Sequence, residues 1–268
     1  MFGKTFYHGS LRKYVIVFGN MFNGIYLQRF NQNNERIQTL KVPIAYGPKE
    51  KFLVRLAQDP NLDQDIAISL PRIGFEMTAL TYATDRKLPS TQKNVVVSRD
   101  DNTVYKTQYR PVPYDISFQM SIFVKHADDG TQILEQILPY FQPEWTNSIN
   151  LIPEMNLTYD IPCILTDVSL EDTYEGSYDT RRALIWNLNF IMKGYIFGPT
   201  STSGIIRRSI TNFASDLPDS PGVEVERVSV YPGLTADGLP TSNANITVSE
   251  NTIDPDDDYG FVTTIDEI

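Results

Sequence analysis

Two histidines, one cysteine and a few clustered carboxylates are the groups with which this 268-residue chain could do chemistry. His126, Asp128 and Asp129 form the tightest cluster, and a carboxylate close to an imidazole can tune its pKa for acid–base work or metal binding. The cluster lies where a strand pattern gives way to a helix pattern, and there aspartate serves as an N-cap and as a partner of the helix dipole. Capping is the reading this position favours. A second group, Glu171, Asp172, Glu175 and Asp179, is followed at once by Arg181 and Arg182. Two carboxylates about 5 to 9.5 Å apart in a concave pocket would suit a glycoside hydrolase, the one enzymatic alternative these residues suggest. On an exposed connection between two strands, with Gly176 at the turn, the same residues pair with one another or with a neighbouring subunit. Asp256, Asp257 and Asp258 lack the spaced ligands and terminal Glu of a calcium loop and read as solvated acid.

The remaining chemistry is absent from the sequence. It contains no phosphate-binding glycine loop, no G-x-S-x-G elbow and no H-E-x-x-H pair, so no cofactor, metal or catalytic residue is expected. Cys163, the single cysteine, excludes an intramolecular disulfide and reads as a small buried hydrophobe on a strand. The apolar stretch at 14–18 is too short for a signal peptide, and no run reaches the length of a membrane span.

Periodicity supplies the elements that must position these groups. Leu11, Tyr14, Val15, Phe18, Phe22 and Ile25 form a helical stripe with Ser10 as N-cap. Two short strands follow near 25–30 and 37–46, and Gly47 and Pro48 open a second helix with Phe52, Leu53 and Leu56 inward. Alternation predicts strands at 114–124 and 184–192, with weaker ones at 66–82, 95–109 and 159–170. A third helix buries Ile133, Leu134, Ile137 and Leu138 before Pro139. This pattern implies an α+β fold, a largely antiparallel sheet flanked by about three helices.

Charge divides the chain. Residues 216–268 hold 12 acidic residues and one basic one, which leaves 21 acidic and 22 basic residues for the body. A neutral body argues against sequence-specific nucleic-acid binding. The division predicts a domain at 1–200 and a flexible acidic extension at 201–268, whose Asp254, Asp256, Asp257 and Asp258 would dock onto a basic partner surface. The segment 85–110 is also set apart. It carries Arg86, Lys87, Lys93, Arg99, Lys106 and Arg110 and reads as a hairpin leaving the core for subunit contact. Its residues, with Glu171, Asp172, Glu175, Arg181 and Arg182, are the candidate interface. The 15 Tyr and 14 Phe suit protein–protein contact.

Several stretches carry a likeness. Met1-Phe2-Gly3 before the first helix, Val42-Pro43-Ile44-Ala45-Tyr46, Leu70-Pro71-Arg72-Ile73, Ser121-Ile122-Phe123 and the block from Gln132 through Gln136-Ile137-Leu138-Pro139-Tyr140-Phe141-Gln142-Pro143 occur in one order. Together with Arg181-Arg182 ahead of the Trp186 strand, they resemble the tail completion and sheath stabiliser proteins of T-even-type contractile-tailed phages. The likeness covers most of residues 1–215 and is weak in 85–110 and in the acidic tail. It implies a structural virion protein that forms a hexameric ring at the head-proximal end of the tail and contacts sheath, tube or tube terminator, and the head's neck proteins. A different neck or baseplate component is the alternative within the same particle. The likeness implies no catalytic residues, and no membrane association is expected.

Overall fold

The computed structural model describes residues 5–30, 35–57, 70–97, 104–172, 184–216 and 222–267. The first stripe closes into helix α1 (Ser10–Met21), which starts one residue earlier than the sequence predicts. Gly9, in the left-handed region at φ 64°, takes the N-cap position in place of Ser10. Next come β1 (Tyr26–Phe30), β2 (Arg36–Lys41), β3 (Ile44–Tyr46), α2 (Lys49–Ala57) and β4 (Arg72–Tyr82). The middle of the chain adds β5 (Lys93–Val97), β6 (Val104–Tyr109), β7 (Val112–Val124), α3 (Ala127–Ile137), β8 (Glu144–Ile152), β9 (Leu157–Asp172) and β10 (Leu184–Ile196). The last third holds β11 (Ser201–Gly204), β12 (Ser209–Ala214), β13 (Glu224–Gly233) and β14 (Gly260–Glu267).

The expected fold class needs correction. The described residues are predominantly β and form four sheets, where the sequence predicts an α+β fold with a single, largely antiparallel sheet. The largest sheet, in the order β3-β4-β7-β10-β9-β8, is mixed because β3 runs parallel to β4. The reason is α2, which lies between these two strands and supplies the crossover that parallel neighbours require. Residues 201–268, predicted to be a flexible extension, carry β11 to β14. Their strands are hard to see in sequence because β12 is exposed along its whole length, so no buried face imposes alternation.

The chain divides into two units: 1–91 with 110–198, and 92–109 with 199–268. In the first, β7 and β10 pair without a bulge over thirteen residues, from Leu184 opposite Val124 to Ile196 opposite Val112. Directly paired residues share a face, so Ile116, Phe118, Met120 and Ile122 line up with Met192, Phe190, Leu188 and Trp186. Onto this face α1 lays Phe18, whose ring stacks on Phe118 at 4.4 Å and meets Phe190 edge-on at 5.2 Å. Deeper along the helix, the Tyr14 hydroxyl donates to the Tyr195 carbonyl and accepts from the Tyr195 amide, both at 2.8 Å. Burial pushes the Tyr14 hydroxyl pKa up. The opposite face carries a smaller apolar cluster of Phe52, Phe123 and Ile185 beneath α2. Gly74 makes that packing possible, because a Cβ there would stand 2.5 Å from the Phe52 ring.

The β1–β2 hairpin is held to α3 by a pair of glutamines one helical turn apart. The Tyr26 amide donates to Gln136 Oε1 and the Tyr26 carbonyl accepts from Gln136 Nε2. Gln28 makes the same two-way exchange with Gln132. Two side-chain amides thus satisfy backbone groups that a neighbouring strand would otherwise pair.

The second unit contains the sheet β11-β6-β5 and the sheet β12-β13-β14, both antiparallel. Gly233 and Gly260 face each other across β13 and β14, and the Thr241 backbone crosses directly over them. A Cβ at Gly233 would lie 2.2 Å from the Thr241 carbonyl oxygen, so only glycine admits this crossing.

Candidate subunit and partner interface

The two acidic–basic clusters singled out in sequence resolve into different parts. His126 takes the N-cap position of α3, with no side-chain cap hydrogen bond, and Asp128 and Asp129 fall in the first turn. The predicted aspartate cap is therefore replaced by two carboxylates placed to complement the helix dipole. Asp129 does more: its Oδ2 accepts from Arg29 Nη2 at 3.0 Å, which pins β1 to the head of α3. Of the three residues, Asp129 is the one that fastens two elements together.

Glu171 and Asp172 end β9. Glu171 accepts from Lys49 Nζ through Oε2 and from Asn187 Nδ2 through Oε1 at 2.8 Å. Asn187 in turn accepts from the Ser121 hydroxyl at 2.9 Å, and both of these residues are buried. The result is a continuous chain of polar groups from the sheet interior to the surface, each satisfied by the next. It also sets a carboxylate beside Lys49, a cation at the helix N-terminus where the dipole disfavours one. Glu175, Asp179, Arg181 and Arg182 lie outside the described residues.

The basic segment is split between the units. Arg86 belongs to the first, where Nη2 donates to Asp115 Oδ1 at 2.6 Å and to the Tyr114 carbonyl at 3.2 Å. Its guanidinium also stands 5.4 Å from the Tyr195 ring centroid, and only 18% of the side chain is exposed. This arginine clamps the ends of β7 and β10. Lys87 and Arg110 are exposed in the same unit. Lys93 on β5 and Lys106 on β6 belong to the second unit, whose paired strands form the hairpin read from the sequence. Lys93 is exposed with its ammonium 4.9 Å from the Tyr109 ring centroid, and Lys106 is half-buried. Arg99 lies outside the described residues.

The candidates do not converge on one patch. In the first unit, Glu171 pairs with Ile185 near the start of β10, whereas Arg86 packs on Tyr195 near its end. Ten residues of strand separate the two places, about 33 Å at the usual rise.

Asp254, Asp256, Asp257 and Asp258 form a tight turn ahead of β14. The Asp254 amide donates to Asp257 Oδ2 at 2.9 Å and the Asp257 amide to the Asp254 carbonyl at 3.1 Å. Asp256 and Asp258 are exposed. Beside this turn, Arg207 Nη1 donates to the carbonyls of Glu250 and Ile253, and Arg208 Nε donates to Glu250 Oε2 at 2.9 Å.

A cavity of about 540 Å³ opens between the C-terminal ends of α1 and α3, lined by Phe22, Ile25, Ile137, Tyr140, Phe141 and Trp145 among others. Glu135 is the one acidic group among its described lining residues, which is not the carboxylate pair that a glycosidase requires. Burial pushes the Cys163 thiol up to about 12, far from the range of a reactive nucleophile.

The described residues present exposed strands, a charged hairpin and an acidic turn. The description "T4-like virus Myoviridae tail sheath stabiliser" matches residues 5–261, and the chain belongs to that family. It is also 32% identical, over 237 residues, to the tail completion protein gp15 of Enterobacteria phage T4, an alignment spanning 83% of this chain and 84% of that protein.

Proposed function

We propose that the protein forms a hexameric ring that terminates and stabilises the head-proximal end of the contractile sheath and tube, and offers the head's neck proteins a surface to bind. The observation that carries this reading is the family match over 5–261 together with the similarity to a tail completion protein. In this reading the ring assembles in the host cytoplasm, sits in the neck region of the virion, and works without catalysis or cofactor. Heterologous contacts between copies close under sixfold rotation. The closed ring then meets a sixfold sheath end through six equivalent sites, so individually weak contacts hold by simultaneous engagement.

Candidate contact groups are Lys87, Lys93, Lys106 and Arg110, together with Asp172 and the acidic turn at 254–258. The turn docks onto a basic surface in the assembled tail, an attraction that salt weakens. Arg86 and Glu171 act by holding their elements in place. Glu175, Arg99, Arg181 and Arg182 complete the candidate set. The test is co-sedimentation of purified protein with sheathed tails that lack it. Binding at the upper end with slower sheath loss supports the reading, and protein that stays in the supernatant overturns it.

A further inference from the structure

The edges of the sheets are treated unequally. The outer side of β1 is sealed by the amides of Gln132 and Gln136. The outer side of β2 is interrupted by a register shift, carries Arg36 and Lys41, and is followed within two residues by Pro43. Bulges, charges and prolines are the devices with which proteins stop edge strands from pairing with other chains. On β12 charges and prolines are missing, and the one register shift in its pairing falls at its last step, between Phe213 and Ala214, with the extra residue, Val225, on β13. All six of its residues, Ser209-Ile210-Thr211-Asn212-Phe213-Ala214, are exposed, and none is charged or a proline. Among the described residues β12 pairs with β13 alone, and so does β14 on the other side of the same sheet. Gly260 to Ile265 of β14 are likewise uncharged.

We propose that β12 of one subunit pairs with β14 of the next, so that the three-stranded sheet continues from copy to copy around the ring. The inference rests on the ring reading above and names the surface through which the ring closes. Both strands run antiparallel to β13 and hence parallel to each other. A head-to-tail operation carries β12 beside β14 without reversing it, so the new pairing is parallel. The faces then fix the register to odd beside odd. Thr211, Phe213 and their partners Val228 and Glu226 share a face with Ile265 and Thr263. One register that matches that face puts Thr211 beside Thr263 and brings together Phe213 and Ile265, two apolar side chains that are 51% and 62% exposed in the isolated subunit.

Geometry favours a second copy as the occupant. The two uncharged edges belong to one sheet and run parallel, so a single head-to-tail operation brings one edge onto the other. Arg207 and Arg208, ahead of β12, are engaged by Glu250 and Ile253 of their own subunit and leave the pairing to the strands themselves.

Cysteine cross-linking tests this directly, because the native Cys163 is buried and stays out of the reaction. Thr211→Cys is combined in one chain with Thr263→Cys or, to cover a two-residue slip, with Ile265→Cys. After mild oxidation, either double variant is expected to give a ladder of covalent multimers on a non-reducing gel, and each single variant none. A companion variant, Thr211→Lys with Thr263→Lys, puts two cations side by side at exposed positions and should shift the native mass from ring toward monomer without loss of circular dichroism. Dimers from Thr211→Cys alone would mean that β12 pairs with β12, and no ladder from either double variant while the wild-type ring persists would mean that the strands do not meet. Either result overturns the inference and leaves the ring reading standing. A monomeric wild-type protein would overturn both.

Discussion

At the scale of single residues, the polar chain Ser121–Asn187–Glu171–Lys49 shows why clustered charge is a poor guide to function. Glu171 invites reading as a catalytic or interface carboxylate, yet it closes a hydrogen-bonded path that begins inside the sheet. Asn187→Ala would leave Ser121 and Glu171 each short of a partner, a loss of about 1 to 3 kcal/mol that chemical denaturation would register. Phe18→Ala removes a fully buried ring from between Phe118 and Phe190 and should cost about 3 to 5 kcal/mol by the same measurement. Cys163 gives a pH signature. The folded state holds the thiol proton more tightly than the unfolded chain does, since burial raises its pKa from 9.0 to about 12. Its contribution to stability is whole below pH 9.0 and is lost as pH rises toward 12. A thiol reagent at pH 8 is accordingly expected to label the native protein only as fast as it unfolds; rapid labelling would show that the thiol is reachable. None of these partnerships is legible in sequence, because Lys49 and Glu171 stand 122 positions apart and only the fold brings them together.

Elements were legible where burial imposes a period. Helix α3 and strands β7 and β10 each bury one clear stripe or face, and their residue types repeat accordingly. β8, β11, β12, β13 and β14 escape the same reading because exposed or half-covered strands need no alternation, and polar composition then looks like an unstructured tail. The parallel pairing of β3 with β4 was available in principle from the helix between them, but β3 has only three residues and gives no pattern of its own. The glutamine ladder belongs to this scale as well. Gln132 and Gln136 look like exposed helix positions until β1 is seen against them. Replacing both by alanine should leave α3 intact and free the outer side of β1. Hydrogen exchange at the Tyr26 and Gln28 amides would then accelerate, while exchange along β7 stays unchanged.

Family membership places the chain among tail sheath stabilisers. The sequence block from Gln132 to Pro143 that carries the likeness lies on α3 and the turn after it, where it supports the β1–β2 hairpin and lines the aromatic cavity. The interface could not be read the same way, since exposed residues answer to partners that a single sequence does not contain. Exposed Lys93 and half-buried Lys106 sit on the hairpin of the second unit. Lys93→Glu with Lys106→Glu is expected to weaken attachment to tails and to leave the unfolding midpoint of the protein within experimental error. Native mass measurement of the purified wild-type protein, alone and after incubation with tails that lack it, decides whether the protein works as an assembled ring. A closed oligomer of six copies that transfers to the tail and protects the upper end of the sheath is the expected result. A monomer that leaves the tails unchanged would contradict it.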